Sequence, residues 1–307
     1  MLSVCIPVYN CDLRILVGEI LHQSAQQKIN IEIVLIDDHS ETVYHQKNKL
    51  LSGENIQYIR LEQNIGRARI RNLFLKYAKY PYLLFFDCDS KIIKPDFLQN
   101  YLSSINKDTA VVCGGRSYQK IIPQRKYRLR YVYGINRECM PASVRNQNPY
   151  RSFLSNNFLI KKEILRKFPF DEQIIGYGHE DTLFGYCLKQ NHIPVLHIDN
   201  SVEHDFDETN EEFIKKTEQA IENLIFISKN LVDNEFADEV KLFYIYKKIK
   251  KYYLTVILSI IAPFLLRVIK IILIKSGKNL FLFDIYKLIY LSRKINQTYE
   301  QRTNSMD

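Results

Sequence analysis

The runs SVCIPV at 3–8, IEIVLI at 31–36 and YLLFF at 82–86 carry almost no alternation of apolar with polar residues. A strand with one face in water alternates; a strand covered on both faces reads as a nearly continuous apolar run. Between these runs, residues 13–27 place Leu13, Leu16, Val17, Ile20, Leu21 and Ala25 at helical spacing, and NIGRARIRNLFLKYAKY at 64–80 reads as a turn followed by a helix. A further run, IQYIRL at 56–61, adds another strand. Alternating strands and helices with doubly covered strands imply an α/β fold, a mostly parallel Rossmann-like sheet flanked by helices. Further on, FLIKKEILRKFPFDE reads as a strand and short helix, GYGHEDTLFGYCLKQ as a glycine loop opening a helix at Glu180–Asp181, and IPVLHID as a last core strand. From 210 onward helical periodicity dominates. The expected organisation is an α/β domain over 1–210, with halves at 1–115 and 116–210, and an α-helical appendage over 211–307.

The net charge of +9 is unevenly placed. Residues 241–307 hold 13 Lys and Arg against Asp284, Glu300 and Asp307, so the rest of the chain is close to neutral. That tail is also very apolar. Nucleic acid binding calls for basic residues among polar and aromatic ones on a folded face, so no nucleic-acid partner is expected. A greasy, basic segment suits an anionic membrane surface. The uncharged stretch 252–266 contains Pro263 and falls short of the roughly 20 residues a spanning helix needs. Lysines flank it on both sides. The expectation is therefore a helix lying in the interface, on the cytoplasmic face of the plasma membrane, with burial against the core or a second subunit as the competing reading. The opening MLSVCIPVYN reads as a first strand rather than a secretory leader. The six cysteines show no CxxC pair, so reduced thiols are expected and a zinc site is not.

In open parallel sheets ligands bind beyond the carboxyl ends of the strands. Here those ends carry Tyr9–Asn10, Asp37–Asp38 and Asp87–Asp89. Two carboxylates held close together raise each other's proton affinity unless a positive charge lies between them. Asp87 and Asp89 at the end of a buried strand can share a divalent cation, and Mg²⁺ favours a few carboxylates plus substrate phosphates; the plainer reading is an Asp-rich turn. Asp181, at a helix start, can stay ionised and act as a base. Glu180 beside it can orient a hydroxyl or the loop. His204, soon after the last core strand, can add a nitrogen to the same cation, or can simply pack. The segment 116–151 is rich in Arg and Lys and reads as a partly mobile insertion near the site.

Taken in order, SVCIPVYN, DDHS, NIGRARIRN, FFDCDS, GYGHEDTLFGYCL and a late histidine resemble the family 2 glycosyltransferases of GT-A fold. The matches are Pro7, Tyr9 and Asn10; Asp37, Asp38 and Ser40; Asn64, Gly66, Arg71 and Asn72; Asp87 and Asp89; Gly178, Glu180 and Asp181. The resemblance covers about 1–210, and SNNFLIKKEILRKFPFDE looks like the family's acceptor-side segment. His39 stands where the family usually has Gly, and Ile70 where it has Ala.

The resemblance implies an inverting transferase that moves a sugar from a UDP-sugar to a hydroxyl of a glycan or lipid-linked glycan acceptor, in surface polysaccharide assembly. The nucleotide-sugar half is then 1–115 and the acceptor half 116–210. Asp38 and Arg71 would hold the uracil, with Pro7 and Tyr9 lining the pocket and Asn64 and Gly66 shaping the donor loop. Asp87 would face the ribose and sugar. Asp89 would bind Mn²⁺ or Mg²⁺, with His204 as a further metal or diphosphate contact. Asp181 would be the base, and Glu180 and Asn157 would meet the acceptor. A sugar nucleotidyltransferase shares the sheet and acids, yet normally has a glycine-rich loop after its first strand, where this chain has IPVYNCDLR. A non-catalytic nucleotide-binding scaffold is the third reading.

Overall fold

The computed structural model describes residues 1–204, 208–232, 235–252 and 254–303. The chain divides into two compact units that interleave along the sequence. One comprises Met1–Gln119, Asn136–Ile175 and Glu180–Asp205; the other comprises Lys120–Ile135, Gly176–His179 and Phe206–Asp307.

The first unit is built on ten strands: β1 (Leu2–Val8), β2 (Ile31–Asp37), β3 (Ile56–Arg60), β4 (Tyr82–Phe86), β5 (Ser90–Ile92), β6 (Val111–Cys113), β7 (Arg116–Ser117), β8 (Asn157–Lys161), β9 (Val195–His197) and β10 (Val202–His204). Seven form one sheet in the order β3-β2-β1-β4-β8-β6-β9. Its neighbours run parallel except for β8, which is antiparallel to both β4 and β6. The mostly parallel sheet read from the sequence is thus the one observed. All of β2, and all of β1 but Pro7, is buried. Successive residues alternate between two cores. Val4, Ile6, Ile33, Leu35, Leu84 and Phe86 face one, packed by the helix Arg14–Gln26. Cys5, Val34, Ile36, Leu83, Phe85 and Phe158 face the other, packed by the helices Arg67–Tyr77 and Glu180–Gln190.

A second, three-stranded sheet, β5-β10-β7, decides where the late histidine lands. The register pairs His204 with Ser90 and Val202 with both Ile92 and Arg116. Three residues far apart in sequence (Asp89, Arg116 and His204) therefore meet through strand pairing. The basic segment is folded rather than loose here. Arg145 is 5% exposed and donates to the carbonyls of Met140, Cys113, Gly114 and Ile198.

The second unit is helical. Asn210–Asn230, opened by a capping box in which Thr209 and Glu212 bond reciprocally, packs with Leu254–Ser276 and Leu280–Thr303 around Phe213, Ile214, Leu266, Ile269, Phe283 and Tyr286. Gly178 has φ +100°, and a Cβ there would lie 2.5 Å from that of Ala220, so the residue is glycine for two reasons. Pro263 is accommodated inside Leu254–Ser276. Among the described residues no helix is long and apolar enough to cross a membrane. The same helix shows Ile260, Ile261, Phe264, Val268, Ile271 and Ile272 on its exposed side.

Candidate active site

The ends of β1 and β2 are tied together first. Asn10 donates its backbone N–H to Ser40 Oγ at 2.9 Å, and Asn10 Oδ1 accepts from the Glu41 N–H at 2.8 Å. Pro7 is partly exposed and Tyr9 exposed at this edge. Asp37 is fully buried; its oxygens accept from the Ser40 N–H at 2.7 Å and from the Tyr58 hydroxyl. Asp38 accepts from the backbone N–H groups of Ile65 at 2.7 Å and Gly66 at 3.1 Å, and its carbonyl accepts from Asn64 Nδ2. Its carboxylate, expected on a uracil, thus also holds the Asn64–Gly66 loop. Gly66 sits at φ +84° at the start of the helix Arg67–Tyr77, which requires glycine. His39, in the place of the usual glycine, keeps a left-handed φ of +67°. The turn is thus preserved at the strain of a side chain in that region.

The β4 end is different. Asp87 receives Arg71 Nη2 at 3.0 Å and has Arg116 Nη2 at 3.9 Å. Arg71, expected to hold the uracil, is 2% exposed and serves as a counter-charge of Asp87. Asp89, half exposed, lies 2.9 Å from His204 Nε2. Partial burial pushes the Asp89 pKa up, but the His204 hydrogen bond and charge, with Arg116, outweigh it and bring the value to about 2. One ligand atom each from Asp87, Asp89 and His204 falls within 4.8 Å of the others. Donors around one ion at ~2.1 Å lie up to about 4.2 Å apart, so a small contraction completes the set. Two hard oxygens and an imidazole suit Mg²⁺ or Mn²⁺.

Asp181 stands in the first turn of the helix Glu180–Gln190. Its Oδ2 accepts from the Ser155 N–H at 3.1 Å, while its buried Oδ1 has no partner. Burial, and then the neighbouring Glu180 charge, raise its pKa to about 6 against the pull of Arg71 and Ser155. Glu180 is itself buried, 3.5 Å from Arg67 Nη1. Asn157, expected to meet the acceptor, is tied into the surrounding backbone. It is 1% exposed and gives Nδ2 to the carbonyls of Gly115 and Asn200, while its Oδ1 takes the Tyr101 hydroxyl at 2.6 Å. Arg116 and Ser155 were not singled out from sequence. Arg116 was one of nine basic residues in a segment whose pairing with β10 is a tertiary fact, and Ser155 acts through its backbone.

A profile described as "Glycosyl transferase family 2" matches residues 3–169, more than half the chain. The chain belongs to glycosyl transferase family 2. A chondroitin synthase of Escherichia coli is 27% identical over 221 residues, covering 61% of this chain and 32% of that protein. The chain thus spans about a third of that relative's length. Among solved structures, the Pyrobaculum calidifontis mannosyltransferase PcManGT, in complex with GDP-Man and Mn²⁺, has a TM-score of 0.59 at 11% identity, covering 97% of this chain and 87% of the other. Residues 1–349 of S. aureus TarS, in complex with UDP-GlcNAc, have a TM-score of 0.50 at 18% identity, covering 98% and 91%. At these identities the likeness carries the fold, which is that of GT-A glycosyltransferases. The motif order from Pro7 to Asp89 falls within the matched family 2 region.

Proposed function

We propose that this family 2 protein is an inverting, metal-dependent glycosyltransferase that moves a sugar from a UDP-sugar to a hydroxyl of a glycan or lipid-linked glycan, in surface polysaccharide assembly. The observation that carries the reading is the pairing, within one unit, of the Asp87–Asp89–His204 cluster with an unpartnered carboxylate oxygen on Asp181. Asp89 and His204 would hold the ion directly. Asp87, oriented by Arg71, would complete its protein ligands. When bound, the ion neutralises the charge that gathers on the departing diphosphate. Asp181 takes the acceptor proton on Oδ1 as the acceptor oxygen bonds to the anomeric carbon. The bond from that carbon to the diphosphate oxygen breaks, and UDP leaves with the electron pair. Single displacement inverts the anomeric centre. That PcManGT and TarS were solved with nucleotide sugars supports a donor of this class.

Incubation with UDP-sugars and Mn²⁺ tests this directly. Release of UDP supports the reading, and release of pyrophosphate would move the chain to the nucleotidyltransferases.

The acceptor and the membrane are linked in the proposal. The exposed side of Leu254–Ser276 presents Ile260, Phe264, Val268 and Ile271 in one stripe with exposed Arg267 and Lys275, and no acid. An apolar stripe with basic residues fits insertion into an anionic leaflet from the cytoplasmic side. A second copy would bring two strongly basic tails together. Arg116, Arg130 and Arg145 of the basic segment are engaged with Glu138, Glu208 and backbone carbonyls, so they are not available to an acceptor diphosphate. Arg125, Lys126 and Arg128 of the same segment are the candidates for that contact.

A further inference from the structure

Asn156 is 4% exposed, and neither its Nδ2 nor its Oδ1 has a hydrogen-bond partner. Buried carboxamides are normally satisfied, as Asn157 next to it is, and each exception calls for an explanation. The exception here is not isolated. Among the described residues of the sheet unit, the other buried side-chain atoms without a partner are Arg71 Nε, Ser90 Oγ, Arg116 Nε and Asp181 Oδ1, with Gln27 Oε1 the one lying elsewhere. Unpaired polar atoms are concentrated where the β4 end meets Asp181.

The backbone fixes the position of Asn156 between the two halves of the site. Its carbonyl accepts the Asp87 N–H at 3.2 Å, on the cluster side. The preceding residue, Ser155, gives its N–H to Asp181 Oδ2, on the base side. A movement of Asn156 would be felt at both.

We propose that Asn156 is the specificity-determining residue for the transferred sugar, its carboxamide bonding the sugar's hydroxyls. This rests on the nucleotide-sugar reading above. A carboxamide offers one acceptor and two donor hydrogens in a fixed plane. A phosphate offers acceptors alone, and a cation would use only the oxygen. A sugar hydroxyl both gives and takes, so it satisfies Oδ1 and Nδ2 together without bringing a charge between Asp87 and Asp181. A sugar whose hydroxyl is absent or inverted leaves a buried group unpaired, which is how a polar site discriminates strongly.

The test uses the full chain with Asn156→Leu, which keeps the branched outline and heavy-atom count and removes both hydrogen-bonding groups. Three quantities are read: Tm, UDP affinity with Mn²⁺ by calorimetry, and kcat/KM for UDP release across epimeric UDP-sugars. The expected result is a Tm no lower than that of the unaltered protein, because no partner is lost. UDP affinity should stay within about threefold. kcat/KM for the preferred donor should fall about 100-fold or more, with the spread between epimers collapsing. A lowered Tm with donor preference intact would make Asn156 a packing residue and overturn the inference. UDP affinity falling as far as that of the donor would overturn it too, by making the contact one to the nucleotide. Failure of the underlying reading looks different: the unaltered protein would bind no UDP, and the inference would fall with it before any variant is compared.

Discussion

The β2 and β4 strands lie on either side of β1, and each runs through the core to end in two aspartates. The likeness stops there. Asp37 and Asp38 accept hydrogen bonds from the backbone N–H groups of Ser40, Ile65 and Gly66 and from the Tyr58 hydroxyl. Asp87 and Asp89 face Arg71, Arg116 and His204. Neutral donors fix a loop and spread the charge of a buried carboxylate over backbone and hydroxyl dipoles. Cationic and ligating partners concentrate charge where an ion and a diphosphate can enter. The same residue pair in the same place on a strand is a clamp in one case and a candidate ion site in the other; the partners decide which.

The sharpest way to break that contrast is to neutralise both sites. Asp89→Asn should lower the transfer rate by about 10³-fold, in line with loss of a main electrostatic contributor, while Tm stays put or rises. Asp37→Asn should do the reverse. It weakens a buried, twice-bonded carboxylate, costing about 3 kcal/mol and lowering Tm by roughly 6–12 °C, with the surviving folded fraction active. Thermal melts beside UDP-release assays check both, and equal effects in both columns would erase the distinction. Next comes Arg71→Leu. It removes the nearer of the two guanidinium groups that hold Asp87 and should weaken Mn²⁺ binding about 10- to 100-fold, as loss of a residue orienting a metal ligand does.

A smaller effect sharpens the base side. Asp181 is held at a pKa of about 6 by burial and then by Glu180. A carboxylate with a raised pKa is protonated, and useless as a base, below that value. The rate should therefore fall about tenfold per pH unit beneath pH 6 and level off above it. In Glu180→Gln one cause of the rise is gone, so the acid limb should move to lower pH. A limb that stays in place would place the titration elsewhere. The smallest expected effect is in the helical unit. Phe264→Ser should reduce co-sedimentation of the full chain with anionic vesicles several-fold without touching UDP release.

Much of this contrast was open to reading before any coordinates. The sheet class was legible because short continuous apolar runs such as those of β1 and β4 alternate with helical patterns, as strands covered on both faces do. The ordered acids pointed to one edge of the sheet, and His204, expected to share a cation with Asp89, lies 2.9 Å from it. What stayed hidden was partner choice. A helix pattern does not reveal that the Arg71 guanidinium is buried on Asp87. Asn157 and Asn156 are indistinguishable in the string SNNF, yet the carboxamide of one has partners at both ends and that of the other has none. Arg116 becomes legible only once β7 pairs with β10.

The central claim is that Asp87, Asp89 and His204 form one divalent-cation site that works with the nucleotide. Mn²⁺ titration followed by electron paramagnetic resonance, with and without UDP, measures it directly. The account predicts one ion per chain, bound more tightly with UDP, and lost together in Asp89→Asn and His204→Gln. Undiminished binding in both variants would contradict it.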